Sequence, residues 1–324
     1  MKKTILASAI AAATFSGAAL AQESNLPTVY GNIQYAIAHD NFDGGPSTIE
    51  HFDNGSTLGV THDHLIAPGV TGFFKIEIDQ LAADDIDTRQ SFRIDEAYIG
   101  VKGDSFGQIW VGTDDSTYER AVTEIAEFYE VATLNRSVDY TTGEGDLVQY
   151  MSPSFGGLSV WAALQINGDE DTKGGSSKSY PYQLAAVYAV DALELAVAMD
   201  SNDTSDGNNE NTYGLRASYN LDNLRLTGEF HTRKDASDTF GAMGVYTLGK
   251  NQFALSYELT DFDNGDKADT ITLQALHNLS DHMYVYFEGY LGGGDDVYEY
   301  EDSLGNPAFT DERSIAAIGA VYYF

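Results

Sequence analysis

The side chains best equipped for chemistry in this sequence are carboxylates. Asp114, Asp115, Glu119, Glu124, Glu127 and Glu130 fall within one connection of the chain, with Glu127 and Glu130 three apart and Glu119, Glu124 and Glu127 only loosely at the spacing of a helical turn. Such acids either line a passage for cations or form a solvated outer face. Covalent catalysis has little support, because a hydrolase needs a nucleophile, a base within hydrogen-bond reach and a third, orienting group. The chain has no cysteine, and none of its seven histidines lies in a catalytic motif, so no catalytic residue is assigned. His62-Asp63-His64 has the spacing of two zinc ligands on one strand face but reads as a polar turn. The stretch from Asp261 to Asp266 opens like a calcium loop, yet its twelfth position is Thr272 instead of glutamate. No metal or cofactor site is therefore assigned, although the acidic loops could bind divalent cations loosely.

Whatever positions these groups must follow export. Lys2 and Lys3 precede an apolar run from Ile5 to Leu20 that ends in Ala19-Leu20-Ala21, so residues 1–21 read as a signal peptide and 22–324 as a single domain. Without residues 1–21, which carry two lysines and no acid, the net charge moves from −33 to −35. That excess repels the phosphates of nucleic acid, excludes it as a partner and favours small cations. After the signal peptide no apolar stretch approaches the roughly 18 to 20 residues of a membrane-spanning helix. A membrane-spanning form must use strands.

The strands are legible as alternation. Val29, Gly31, Ile33, Tyr35 and Ile37 share one face, and Tyr30, Asn32, Gln34 and Ala36 the other. The same period places Gly72, Phe74, Ile76 and Ile78 opposite Thr71, Lys75, Glu77 and Asp79, and Leu224, Leu226, Gly228 and Phe230 opposite Arg225, Thr227, Glu229 and His231. Sixteen such segments can be traced; the one from 89 to 101 changes phase around Arg93 to Glu96, as at a bulge. Connections alternate between short turns, such as Asp191-Ala192 and Asp222-Asn223, and long acidic loops at 39–54, 168–179, 201–210 and 292–312. A closed barrel satisfies every backbone group within a membrane and carries this signature of segments of about ten residues. The fold class is thus all-β, a transmembrane antiparallel β-barrel of sixteen strands. A soluble β-sandwich is the alternative for alternating strands.

The sequence resembles the general Gram-negative porins of sixteen strands over the whole chain after residue 21. The resemblance rests on Val29-Tyr30-Gly31-Asn32-Ile33, Leu58-Gly59-Val60, Gly69-Val70-Thr71-Gly72-Phe73 and Ala97-Tyr98-Ile99-Gly100-Val101-Lys102-Gly103. Phe106-Gly107-Gln108-Ile109-Trp110-Val111-Gly112, Ser152-Pro153-Ser154-Phe155-Gly156-Gly157 and the final Gly319-Ala320-Val321-Tyr322-Tyr323-Phe324 complete it in order.

The resemblance implies an outer-membrane homotrimer, each chain joined by two identical subunits, with a water-filled channel per barrel for ions and small hydrophilic solutes. It implies that the third outer loop, here between about Thr113 and Gly145, folds inward and narrows the channel. It also makes Phe324 the assembly signal. The inward-facing Lys75, Arg93, Arg216, Arg225 and Arg233 could form a basic wall opposite the acidic loop and set a field across the narrow point, where an ion passes within a Debye length of about 8 Å. Local pairs such as Lys75 with Glu77 or Arg225 with Glu229 are the alternative. Trp110 and Thr113 stand where relatives commonly carry basic residues, which together with the net charge leads to an expected cation preference. Outer-membrane lipids and lipopolysaccharide are the expected surroundings, with divalent ions bridging acidic loops to lipopolysaccharide phosphates. A plugged, structural or adhesive barrel and an outer-membrane hydrolase are the alternative functions.

Overall fold

A computed structural model describes residues 26–79, 93–131, 140–166, 179–203 and 210–324. The predicted signal peptide lies outside the described residues, as do most of the 168–179 and 201–210 loops. The strands are β1 (Thr28–Phe42), β2 (Ser47–Asp53), β3 (Thr57–Ala67), β4 (Val70–Asp79), β5 (Arg93–Gly103), β6 (Gly107–Thr113), β7 (Leu147–Met151), β8 (Leu158–Gln165) and β9 (Tyr182–Val190). They continue with β10 (Leu193–Asp200), β11 (Thr212–Leu221), β12 (Leu224–Arg233), β13 (Ser237–Leu248), β14 (Asn251–Phe262), β15 (Lys267–Asn278), β16 (Met283–Glu301) and β17 (Pro307–Tyr323). Apart from β2 and β3, which do not pair with each other, each pairs antiparallel with its sequence neighbour, and β1 pairs with β17, so the sheet closes on itself. β2 and β3 both pair with β1, with Tyr35 opposite Asp53 and Asn32 opposite Thr57. They are one stave interrupted at residues 54–56, and the barrel has sixteen staves.

Alternation sends apolar side chains outward and polar ones inward. Ile33, Ile37, Val197, Leu215, Leu255 and Ile318 are exposed on the outer surface, where lipid is the solvent. Gln149, Gln183, Thr212, Ser256, Thr272 and Gln274 are buried on the inner one. The short turns form where an acid tolerates positive φ: Asp191 at 50° and Asp222 at 49° close two-residue hairpins. The phase change near Arg93 is a register shift, since Glu77 faces Glu96 while Ile78 faces Ile94, which leaves Asp95 as the extra residue. Phe324 seals the seam by exchanging backbone hydrogen bonds with Gly31 at 3.1 and 3.2 Å.

Three sequence expectations need correction. The stretches 39–54 and 292–312 are largely strand: β1 and β2 turn at residues 43–46, and β16 and β17 turn at residues 302–306. Their acids and glycines make them read as loop by composition, although most of their backbone is paired. His62-Asp63-His64 sits inside β3, with the histidine rings stacked 6.1 Å apart, and the turn is formed by Pro68 and Gly69 instead.

Candidate functional site: the constricted lumen

The connection between β6 and β7 folds into the barrel. Its helix α1 (Thr117–Val122) starts at Ser116, whose hydroxyl accepts a hydrogen bond from the Glu119 N–H at 3.1 Å. Ser116-Thr117-Tyr118-Glu119 is the S-x-x-E pattern of a helix start, a signal present in the sequence. A 3-10 turn over Ala126–Phe128 follows. Tyr118, Ala121, Val122 and Ile125 are completely buried, as Phe128 and Tyr129 nearly are.

They are buried against a wall made for them. Ala185, Ala196 and Ala198 put small side chains under α1, while Met243, Val245 and Ala254 receive the following turn. Gly214 lies so close to α1 that a Cβ there would stand 2.6 Å from the Tyr118 hydroxyl and from a Val122 methyl. Side-chain and backbone hydrogen bonds fix the same face. Gln183 accepts from the Tyr118 N–H at 3.0 Å, and Arg216 Nε donates to the Ala121 carbonyl at 2.9 Å. Glu288 accepts from the N–H groups of Glu130 and Val131 at 2.7 and 2.8 Å.

Four of the six predicted loop acids are tied into this seat or its edges. Glu124 accepts from Arg216 at 2.6 Å and from two Arg225 nitrogens at 2.6 Å each, with Thr227 adding a bond at 2.9 Å. Burial alone raises its carboxyl, but the Arg225 hydrogen bonds and the charges of Arg225 and Arg216 outweigh that and leave it below the usual carboxylate range. Glu130 accepts from Tyr284 at 2.6 Å, and burial pushes it up to about 7. Glu119 accepts from Tyr140 at 2.8 Å. Burial, then the charges of Glu127 and Asp115, push Glu119 up to about 8. Asp114 accepts from the Trp110 indole at 2.7 Å. Asp115 is partly exposed and Glu127 exposed.

The five predicted basic residues do not form one wall facing the loop across open water. Arg216 and Arg225 lie beneath the loop and also reach Glu194. Where the alternative to a wall was a local pair of Arg225 with Glu229, the partner of Arg225 is Glu124, which lies about a hundred residues away in the chain and is invisible to local spacing. Lys75 does stand on the open side, bound to Glu96 and 3.6 Å from Glu77. Arg93 is exposed at the start of β5, and Arg233 ends β12 away from this group.

Sequence reasoning missed Arg120. It projects from α1 between the Trp110 and Trp161 rings, 5.6 and 5.7 Å from their centroids, and lies 3.4 Å from Asp114. A cation therefore stands beside Trp110 even though position 110 itself is not basic. Between the loop and the β3–β6 side remains a space of about 560 Å³. Asp63, Glu77, Glu96, Asp114 and Asp115 border it, against Lys75, Lys102 and Arg120, with Tyr30, Phe73, Tyr98 and Trp110 between them. Tyr30 donates to Glu77 at 2.5 Å.

The comparisons with known proteins agree with this architecture. A family model described as Gram-negative porin matches residues 7–296. A monosaccharide porin from Halomonas sp. is 29% identical over 325 residues, covering 94% of this chain and 81% of that one. The major outer membrane protein of Halomonas elongata matches with the same identity and coverage. Among solved structures, the anion-selective porin from Comamonas acidovorans superposes with a TM-score of 0.73 at 17% identity, covering 92% of this chain and 99% of that one.

Proposed function

Because this chain belongs to the Gram-negative porin family and is an outer-membrane diffusion channel rather than an enzyme, we propose that it works as a homotrimer whose passages prefer cations. The observation that carries the preference is the border of the open space, where five carboxylates face three cations. Each cation is already paired: Lys75 with Glu96, Lys102 with Asp63 at 2.5 Å, and Arg120 with Asp114. Two arginines that would otherwise favour anions are bound to Glu124 beneath the loop. A passing ion thus meets a net negative border at distances where salt screens incompletely. The fold neighbour named anion-selective shares only the architecture at its level of identity, so the sign of selectivity follows from this chain's own lumen.

The test is the reversal potential of the refolded protein in a planar bilayer under a potassium chloride gradient. Permeability greater for potassium than for chloride is expected, with current steps grouped in threes. Equal or greater chloride permeability overturns the preference, and a folded barrel without current overturns the pore.

Neutral sugars form a second reading of the same passage. The Halomonas relative is named a monosaccharide porin. Here Tyr30, Phe73, Tyr98 and Trp110 lie among charged groups whose pairing leaves spare hydrogen-bonding capacity, a mixture that suits apolar sugar faces together with their hydroxyls. Liposome swelling in monosaccharide solutions measures that flux separately from ion preference.

A further inference from the structure

The pore makes no use of His62-Asp63-His64. In β3 the two histidines are two residues apart on one face of a strand, and their rings stand 6.1 Å apart at 21° to each other. That face is the outer one. Thr61 and Asp63 border the open space of the lumen, so alternation turns His62 and His64 outward, in line with the exposed Ile66. Across the sheet His62 faces Phe74, which faces Ile99, while His64 faces Gly72, which faces Val101. The neighbours on the outer face are apolar side chains or bare backbone.

Polar rings in such surroundings need partners. His39, His231 and His277 have them: a ring nitrogen of each meets Ser47, Tyr118 or Asn251 at 2.9, 2.9 and 2.8 Å. Among the described residues no hydrogen-bonding group meets a ring nitrogen of His62 or His64, whose ring contacts are with each other and, for His62, with Phe74 at 6.2 Å. Asp63, on the opposite face, is bound to Lys102. Gly72 puts no side chain beside His64; a Cβ there would first meet an Ile66 methyl at 3.4 Å, so the outward space next to the pair is open. His64 lies three residues before Ala67, where β3 ends, which is roughly 10 Å along the strand. The short turn that follows is of the kind that faces the periplasm. The pair thus stands near the level of the lipid headgroups, within reach of dissolved ions.

We propose that His62 and His64 are ligands of a divalent transition-metal ion, of the zinc, nickel or copper class, at the periplasmic rim of the barrel's outer face. Imidazole nitrogen suits these metals, whereas magnesium and calcium take oxygen donors. Zinc holds such nitrogens at about 2.0–2.1 Å, and rings that already lie side by side bring one nitrogen each onto a shared ion by turning about their own side-chain bonds. The strand fixes both ligands before the metal arrives. Among the described residues no third His, Asp or Glu joins them, so the remaining positions fall to oxygen donors of water and headgroups. The site is independent of conduction and of ion preference.

The test is a zinc titration of the folded protein in detergent against a chromophoric chelator, with millimolar magnesium present to occupy the acidic loops. One zinc per chain is expected. The second imidazole binds intramolecularly, so H62A and H64A should each weaken binding on the order of a hundredfold. H51A removes one of the other outward imidazoles, His51, which stacks on Tyr35 at 4.9 Å, and should leave binding unchanged. Equal affinity in H62A, H64A and the unaltered chain overturns the proposal, as does zinc that magnesium displaces. Should H62A or H64A fail to fold, electron paramagnetic resonance of H51A with less than one copper(II) per chain decides it. Two equatorial imidazole nitrogens support the site, and one or none overturns it.

Discussion

The two sides of this barrel share an outward face and differ inside. On the β9–β14 side the inner positions are small or carry buried hydrogen-bonding groups, as with Ala196, Ala198, Gly214, Arg216 and Glu229. On the β3–β6 side they are charged or aromatic and border open space, as with Lys75, Glu77, Glu96 and Tyr98. One side is dry and acts as a socket; the other is wet and sets what the passing solute meets. Alternation satisfies the membrane on both sides equally, so inner composition alone decides which side holds the loop.

Breaking the socket should have the largest effect. R225A removes two bonds of 2.6 Å from the buried Glu124 and leaves that carboxylate with Arg216 as its one cation, beside the hydroxyls of Ser218 and Thr227. Removing one partner of a buried pair costs about 3–5 kcal/mol, and here the loss falls on loop docking as well as on the barrel. A lower melting temperature and an altered, noisier single-channel conductance are expected. Wild-type values for both would show that Glu124 is not the anchor.

Altering the wet side should leave stability nearly unchanged and move selectivity. K75M removes the cation between Glu77 and Glu96. An ion passing a unit charge at about 4 Å in water feels about 1 kcal/mol, so the potassium-to-chloride permeability ratio should rise by roughly twofold to fivefold. An unchanged reversal potential would mean that this side does not set selectivity.

This contrast marks what was legible in the sequence. Period two gave the strands and their outward faces, because lipid imposes the same demand on every stave: Leu215, Leu255 and Ile318 are exposed as the alternation requires. Chain order and resemblance pointed to the segment after Thr113 as the inward loop. The direction in which that loop leans was not legible, because it depends on pairs such as Glu124 with Arg225 and Glu130 with Tyr284, which only closure of the barrel brings together. A partial signal went unread: Ala185, Ala196, Ala198 and Gly214 put small residues at inner positions where a water-filled lumen would carry polar ones. Arg120 was missed for another reason, since a search for acids in the loop passes over the one described cation among them.

The smallest effect tests the border between the two sides, where Glu119 sits. Its carboxyl is pushed up to about 8, first by burial and then by Glu127 and Asp115, while the hydrogen bond from Tyr140 opposes the rise. The folded value lies above the ordinary value of 4.5, so the neutral form favours docking. That contribution is fully present in acid and is lost as pH rises from about 4.5 through about 8. Over the same window the lumen gains one negative charge, and cation preference should increase by less than the change from K75M, because Glu119 is half-buried and Tyr140 shares its charge. Reversal potentials at about pH 6 and about pH 9, on either side of that titration, check this. E119Q should remove part of the shift, and an identical pH response in E119Q would place the titrating group elsewhere in the passage.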